Sequence, residues 1–478
     1  MRRFCALWIF VSAVTAVAAF WSCSTAGPTV VEPGMSEPRK TEPSGEEPDQ
    51  DEGAVYDRIE RSLEEGDTAG AIEALESAHG GAPAAPAEQV LYSNLLIAAG
   101  RLDEAKAALE SALAKEPENA DAVFGLALLA SLSDDYEHRK SLLERTLSLE
   151  PDHAQARAML GELYLERDEY RKAGAEFRAA LELEPDNPNA LIGLGTVLTR
   201  DKKYEEARDS FTKAIEVEPE YPFAYNGRSR VRLELGDTDG ALEDLDAAIA
   251  LEPGYYFSYI DRGKIYLSEA RRAKALEDFE TAIGIEPSYF LAYVYRAGIL
   301  DELGRYDEAL ADYRTVIELE PGYRFAYAPL GVLLYFEGRY ADARAYFVKA
   351  YELESYPQDR YAYALLAGLM WKREGAERNA AAFLRPIMDS IPRDNIFYHL
   401  MRAYIEPSYD GYTVMKVNEL KDKAERSRAL FYLAVKYLTE DKPALAQKYL
   451  LEAVDGRLYG LFEERPALRE LERLGVKR

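Results

Sequence analysis

Residues 154–187 read AQARAMLGELYLERDEYRKAGAEFRAALELEPDN, and variants of this stretch recur along most of the chain. A proline closes each copy, at positions 83, 117, 151, 185, 219, 253, 287 and 321, always 34 residues after the one before. A fixed period of this length is typical of one supersecondary unit stacked on copies of itself. The sequence therefore predicts an array of similar units that share one continuous core.

The apolar residues within one copy are spaced as on two helices. When each copy is numbered from 1 to 34, the predicted contact positions are 4, 7, 8 and 11 on the first helix and 20, 24 and 27 on the second. In the quoted copy, the residues from position 7 onward are Leu160, Gly161, Tyr164, Ala173, Phe177 and Ala180. Glycine at position 15 of five copies should end the first helix, and the proline should end the second. We therefore expect an all-α fold of helix hairpins.

This pattern resembles the tetratricopeptide repeat (TPR), in register over residues 52–357 and again over 361–394 and about 427–460. The resemblance implies a right-handed superhelical solenoid of about eleven hairpins, with the first helices on its concave side. We expect ten units over 52–394 and a degenerate unit with a capping helix over 427–478.

Two segments near the C-terminus depart from the period. Residues 395–426 should form an irregular pair of helices, Asn395–Ile405 and Thr413–Arg426. The capping helix should span Pro466–Leu474, with its leucines inward and its charged residues outward. The residues expected inward are Leu468, Leu471 and Leu474, and those expected outward are Arg469, Glu470, Glu472 and Arg473.

The N-terminus has the layout of an export signal. Two arginines precede an apolar run that ends before Cys23, so residues 1–22 are predicted to be a signal peptide. Residues 20–23 resemble the lipobox of bacterial lipoproteins, in a relaxed form similar to that of spirochaetes, which implies a lipid on Cys23 and a location in the cell envelope on the periplasmic side of a membrane. A secreted protein and an uncleaved membrane anchor are the alternatives. Residues 23–51, with a proline every five residues from 28 to 48, should be a disordered acidic tether.

Composition narrows the classes of function. The formal net charge is −27, and a nucleic-acid partner would require a basic face. The four histidines form no pair with metal-ligand spacing, so we expect no metal and no cofactor. Repeats, tether and cap account for nearly the whole chain, so we do not expect an enzyme.

One group of copies carries a charged pair. Position 7 is Arg and position 23 is Asp in the copies that start at 222, 256 and 290. The copies at 154, 188 and 324 have Leu at position 7 and no Asp at position 23. Because the two positions should lie close across a hairpin, we expect ion pairs, with a structural role rather than a ligand-binding one. The pairs are Arg228 with Asp244, Arg262 with Asp278 and Arg296 with Asp312.

Positions 2, 5, 9 and 12 should face the concave side, where a partner peptide would bind. An apolar row beside two basic groups suits a peptide with apolar side chains and a carboxylate. The candidate contact residues are Phe223, Asn226, Arg230, Phe257, Ile260, Lys264, Phe325 and Tyr335. Ordinary packing or solvated residues are an equally good interpretation of the same pattern.

The sequence thus favours a non-enzymatic scaffold for protein partners at a cell envelope, anchored to the membrane by its lipid. Residues 429–474 are faintly similar to the end of NlpI-type envelope lipoproteins, which would imply scaffolding of peptidoglycan hydrolases. A subunit of a small-molecule uptake system is the alternative, and a cytoplasmic interaction protein is the alternative if the export signal is not real.

Overall fold

The computed structural model describes residues 50–132, 135–456, 458 and 462–476, which form two compact units. The first unit ends at Leu251 and the second begins at Glu252. Among the described residues, all regular structure is helical, as the repeat pattern predicts. The predicted signal peptide, Cys23 and almost all of the predicted tether lie outside the described residues.

The described part of the first unit, from residue 50 onward, contains twelve α-helices, paired as hairpins along the chain. They are α1 (Gln50–Glu64), α2 (Thr68–His79), α3 (Pro86–Ala98), α4 (Leu102–Lys115), α5 (Ala120–Ala130), α6 (Tyr136–Leu149), α7 (Ala154–Leu165), α8 (Tyr170–Leu183), α9 (Pro188–Arg200), α10 (Tyr204–Val217), α11 (Pro222–Glu234) and α12 (Thr238–Leu251).

The second unit contains thirteen α-helices among its described residues. They are α13 (Tyr256–Ser268), α14 (Arg272–Ile285), α15 (Phe290–Glu302), α16 (Tyr306–Leu319), α17 (Tyr327–Phe336), α18 (Tyr340–Leu353), α19 (Pro357–Arg373), α20 (Glu377–Asp389), α21 (Ile396–Ile405), α22 (Asp410–Glu419), α23 (Lys423–Thr439), α24 (Pro443–Gly456) and α25 (Glu464–Arg473). Short 3-10 helices precede α17, at Arg324–Ala326, and α22, at Pro407–Tyr409.

The hairpins pack through the positions that the sequence singles out. Position 24 is a phenylalanine in four copies, and each of these rings is at most 2% exposed. They are Phe177, Phe211, Phe279 and Phe347. Position 8 is small because the helices approach closely: a Cβ on Gly161 would lie 2.6 Å from the ring of Phe177. The predicted packing of the two helices is confirmed.

Position 15 follows the first helix of several described hairpins in a left-handed backbone conformation. Gly236 and Gly304 have φ of 82° and 75° there. Asp168, Lys202 and Ala270 occupy the same position in three other copies, with φ between 57° and 60°. A side chain in this conformation costs about 1–2 kcal/mol, so these three copies carry strain that the glycine copies avoid.

The structure corrects two expectations near the C-terminus. The helix expected over Thr413–Arg426 is instead α22, which ends at Glu419. The side chain of Asp422 accepts a hydrogen bond from the amide of Glu425 and so begins α23 early.

The terminal helix is confirmed as α25, but its buried face differs from the predicted one. Leu471 is buried as expected, whereas Leu468 is 39% exposed and Glu470 only 3% exposed. The reason is that α25 lies against a polar surface of the second unit, where a carboxylate finds hydrogen-bond donors.

Candidate partner-binding faces

The three predicted Arg–Asp pairs are confirmed, and each closes its own hairpin. Arg296 donates two hydrogen bonds to Asp312, of 2.8 and 2.7 Å. Arg228 and Arg262 make the same two-bond contact, at 3.0 and 2.7 Å, with Asp244 and Asp278. Such paired, parallel bonds suit guanidinium and carboxylate.

Each of these arginines also lies near the ring of a tyrosine at position 4 of the same helix. The guanidinium-to-centroid distances are 5.8, 5.7 and 5.6 Å, for Arg228 over Tyr225, Arg262 over Tyr259 and Arg296 over Tyr293. The ion pair and the aromatic contact both lie within one hairpin. This is consistent with the prediction that the pairs stabilise the fold and do not bind a ligand.

In the first unit, the candidate residues of α11 lie at different depths. Phe223 is half-buried with its ring edge-on to Tyr221, at a centroid distance of 5.6 Å. Arg230 is exposed. Asn226 is only 5% exposed and donates to the carbonyl of Pro222, so a partner would meet its neighbours first.

In the second unit, aromatic side chains gather where the first helices of the hairpins begin. Phe257 is half-buried, with its centroid 5.5 Å from that of Tyr255 and 5.3 Å from that of Tyr289. Phe325 is 57% exposed, and the guanidinium of Arg324 lies 4.5 Å from its ring centroid. We call Phe257, Tyr289, Arg324 and Phe325 the aromatic band. It combines apolar area with a cation at the helix starts.

The remaining candidates of the second unit lie outside the aromatic band. Lys264 is exposed, and its ammonium lies 3.1 Å from the carboxylate of Asp261. Ile260 is buried beneath the surface. Tyr335 is also buried, because the C-terminal segment covers it. As contact residues for a partner, all eight candidates stay predictions.

Residues 462–473, which we call the C-terminal segment, lie on a second surface of the same unit. Two buried carboxylates hold the segment in place. Glu470 accepts a 2.5 Å hydrogen bond from Tyr335, whose hydroxyl also accepts one of 3.1 Å from Arg373. Burial and the charge of Glu470 raise the pKa of the Tyr335 phenol, which therefore stays a proton donor.

The second carboxylate is held by the same pair of residue types. Glu463 is fully buried and accepts hydrogen bonds from the Tyr432 hydroxyl, at 2.7 Å, and from Nε of Arg428, at 2.5 Å. Each of the two carboxylates thus meets a tyrosine and an arginine of the array, with the second arginine acting through Tyr335. We call Tyr335, Arg373, Arg428 and Tyr432 the carboxylate clamps.

Two arginines and a phenylalanine of the segment complete the contact. Arg465 donates to Asp301 at 2.9 Å and to Glu302 at 2.7 Å. Arg469 lies between two aromatic rings, with its guanidinium 3.7 Å from the centroid of Tyr306 and 3.9 Å from that of Phe336. Phe462 packs against Tyr327 and Ala328, and its ring is edge-on to that of Tyr363.

Sequence reasoning missed this contact, although one signal was available. Glu463 and Glu470 are seven positions apart, which places them on the same side of a helix. The spacing of Leu468, Leu471 and Leu474 predicted that a different face of this helix would be buried. Leucine spacing carries no information about hydrogen-bond donors that a buried carboxylate could reach.

A second residue that the sequence did not single out is Glu162, at position 9 of its copy in the first unit. It is half-buried, and burial raises the pKa of its carboxyl to about 7, while nearby Arg139 opposes this shift and Glu166 adds to it. Arg139 itself binds Glu166 through two hydrogen bonds, of 3.3 and 2.8 Å.

Among residues 50–132, 135–456, 458 and 462–476, no three or more His, Cys, Asp or Glu side chains come together as a metal site would require. Within the same ranges, no helix has both the length and the hydrophobicity needed to cross a bilayer.

Comparison with known families identifies the repeat. Models described as tetratricopeptide repeat match residues 62–132, 140–188, 158–225, 192–256 and 260–324. Together these ranges span just over half of the chain. The protein therefore belongs to the tetratricopeptide-repeat family, as an all-α solenoid of helix hairpins, and membership supports a protein-interaction scaffold.

Solved structures of repeat proteins align with parts of the chain. Pseudomonas aeruginosa pilF is 21% identical, with a TM-score of 0.39 over 43% of this chain and 94% of that one. YrrB, described as a TPR protein with an unusual peptide-binding site, is 26% identical, with a TM-score of 0.32 over 38% and 95%. The TPR domain of P58(IPK) is 17% identical, with a TM-score of 0.31 over 82% and 99%. No protein of curated function matches the chain.

Proposed function

We propose that this protein is a non-enzymatic scaffold that binds a partner peptide on the aromatic band of the second unit, and that it does so at a cell-envelope membrane. The observation that carries the binding proposal is the exposure of Phe325 next to Arg324. Covering a phenylalanine that is more than half exposed removes apolar area from water, which stabilises the complex with a partner.

The chemistry of the aromatic band suggests the kind of peptide. Phe257 and Phe325 would pack against apolar side chains, and Arg324 would bind a carboxylate or a main-chain carbonyl. Lys264 adds a further cation on the same unit, although Asp261 offsets part of its charge. The other predicted contacts, Phe223 and Arg230, lie on the first unit and would be tested separately.

Site-specific photocrosslinking tests the binding proposal in cells that express the full chain. A photoreactive phenylalanine replaces Phe325 in one variant and Leu319 in the control, since Leu319 is 40% exposed at the end of α16. We expect a discrete crosslinked partner from position 325 only. Adding Phe257→Ala should weaken the crosslink, because a neighbouring aromatic contact is lost.

Equal crosslinking from both positions, or none from position 325, would contradict binding at the aromatic band. In that case the parallel variants Phe223→Ala and Arg230→Glu show whether the first unit carries the contact instead.

The membrane part of the proposal rests on the N-terminal sequence. Cleavage before Cys23 would leave a cysteine at the new N-terminus for lipid attachment, and the proline-rich tether would separate the array from the bilayer. Cells fed labelled palmitate should label the wild-type protein and not the Cys23→Ala variant. Equal labelling of both would contradict the anchor and leave the binding proposal intact.

A further inference from the structure

The C-terminal segment binds the second unit through buried charged groups, and such contacts are specific for one ligand chemistry. The two buried carboxylates, Glu463 and Glu470, each accept a hydrogen bond from a tyrosine hydroxyl. Glu463 also binds the guanidinium of Arg428 directly, whereas Arg373 reaches Glu470 only through the Tyr335 hydroxyl. Burying such charged groups costs desolvation, and an apolar cap of similar size would stabilise the array as well or better. Charged contacts of this kind define which ligand fits more than they add stability.

We propose that residues 462–473 are an internal ligand of the second unit. The surface beneath them, once vacated, binds a partner helix with the same chemistry: two carboxylates seven residues apart, an aromatic residue before the first and an arginine before the second. The C-terminal segment is then an autoinhibitory contact that competes with that partner. None of the clamp residues belongs to the aromatic band, and the proposal goes beyond the function proposed above.

The first argument for displacement is that the segment has few buried apolar contacts and that its Arg465 ion pairs are exposed. The side chain of Arg465 is 48% exposed, and ion pairs at this exposure contribute little to stability. The ion pair of Arg473 is with Glu470, inside the segment, and does not hold it to the array. Leu468 is 39% exposed, which leaves Pro466, Ala467 and Leu471 as the buried apolar contacts of α25. A helix of ten residues has little stability by itself.

The second argument is that the vacated surface keeps its shape. Arg428 also donates to Asp359, at 2.5 Å, and Arg373 donates to Tyr335 independently of the segment. Glu302, which binds Arg465, is also bound by Arg272 at 2.7 Å. Since Arg428, Arg373 and Tyr335 have partners within the array, these three clamp residues are preorganised for a new ligand, and this lowers the cost of binding.

The third argument is where the segment lies. A helix that only capped the array would cover the exposed side of the last hairpin, α23 and α24. The segment does contact that hairpin, through Glu463 and Arg428, but it also reaches α15, 164 residues earlier in the chain, through Arg465 and Asp301. It crosses the surface of several hairpins, as a bound peptide does.

The experiment uses the full chain and a fluorescent peptide with the sequence of residues 462–476. The variant Glu463→Lys/Glu470→Lys reverses both carboxylates of the segment and leaves every clamp residue intact. We expect the peptide to bind this variant at least about ten-fold more tightly than it binds the wild type, because the internal competitor has been weakened. Hydrogen exchange in α25 should rise in the same variant.

Matched controls distinguish specific recognition of the two carboxylates from non-specific binding of the peptide. Leu468→Lys adds charge on the exposed side of α25 and should leave peptide affinity at the wild-type value. A peptide that carries the two Glu→Lys changes should bind neither protein. Adding Tyr335→Phe and Tyr432→Phe to the released variant should weaken binding about ten-fold or more, because both carboxylates lose a buried donor.

The wild-type chain gives a readout that needs no variant. Saturating unmodified peptide should raise hydrogen exchange in α25 as it displaces the segment. Four results would overturn the proposal: unchanged α25 exchange under saturating peptide, unchanged peptide affinity in a released and folded variant, unfolding of the second unit on release, and a wild-type dimer formed by exchanging the segment. Unfolding of the second unit on release would show that the segment is a structural cap of the array. Loss of a crosslink at Phe325 would bear only on the aromatic band.

Discussion

Hairpins of two kinds fill the same repeat in this protein. The hairpin formed by α7 and α8 has a buried leucine, Leu160, at position 7, whereas the hairpin formed by α15 and α16 has Arg296 there, bound to the buried Asp312. The hairpins have the same length and the same proline at their ends. The fold therefore needs a filled contact at this position and accepts either apolar packing or a matched charge pair, but a lone charge would fit neither solution.

The largest test of this comparison removes one member of a pair. Arg296→Leu places the residue of the apolar hairpins opposite Asp312, which is 4% exposed and would lose both of its bonds to Arg296. We expect a loss of about 3–5 kcal/mol in the free energy of unfolding. Urea unfolding read by hydrogen exchange in α15 and α16 measures it.

The matched double variant decides whether the loss comes from the unpaired charge. Arg296→Leu/Asp312→Ser copies the pair of residues found in the hairpin of α9 and α10, Leu194 and Ser210. It should recover most of the stability, to within about 1 kcal/mol of the wild type. A double variant as unstable as Arg296→Leu would show that the arginine matters for packing rather than for pairing.

A smaller effect is expected where the aspartate has a second partner. In the first unit, Asp244 is also contacted by Nη1 of Arg232 at 3.1 Å. Arg228→Leu should therefore cost only about 1–2 kcal/mol, since Arg232 still offsets the buried charge. Thermal melting of this variant and of Arg296→Leu, measured side by side, checks the order. The reverse order would contradict the idea that the unpaired aspartate sets the cost.

Position 15 offers a test in the stabilising direction. Ala270→Gly should stabilise the second unit by about 1 kcal/mol, because the left-handed backbone at Ala270 carries no cost for glycine. Gly304→Ala at the equivalent position of the next hairpin is the matched control and should destabilise by a similar amount. Urea midpoints report both changes. Shifts of the same sign would mean that backbone strain does not distinguish the two hairpins.

The smallest expected effect lies in an apolar hairpin and depends on pH. Burial raises the pKa of Glu162 from its usual value near 4.5 to about 7, so the folded state binds the proton more tightly than the unfolded chain does. The contribution of this group to stability therefore falls as pH rises through that window. Glu162→Gln should stabilise the first unit by about 1 kcal/mol or less at pH 8, and by less at pH 5. Melting curves at the two pH values check this, and a larger gain at pH 5 would contradict the sign.

The fold could be predicted because its information is local. A 34-residue period, a closing proline and, in several copies, glycine at position 15 specify the hairpins from neighbouring residues. The Arg–Asp pairs were also within reach, since the partners are only 16 residues apart and vary together between copies.

The surface beneath the C-terminal segment could not be predicted in this way. Tyr335 and Glu470 are 135 residues apart, and their contact depends on where the array places its surfaces after it has folded. The burial of Asn226 and Ile260 was missed for a related reason. Helical periodicity gives the direction of a side chain, but not how far the neighbouring hairpin extends over it.

The reach of the C-terminal segment has a consequence for how the second unit folds. In a repeat array, each hairpin touches only its neighbours, so the chain can gain and lose structure from its ends inward. The contact between Arg465 and Asp301 ties the end of the chain to a hairpin formed 164 residues earlier. The hairpins between Asp301 and Arg465 can unfold only when this contact is broken. We expect the second unit to unfold more cooperatively than its repeats alone would.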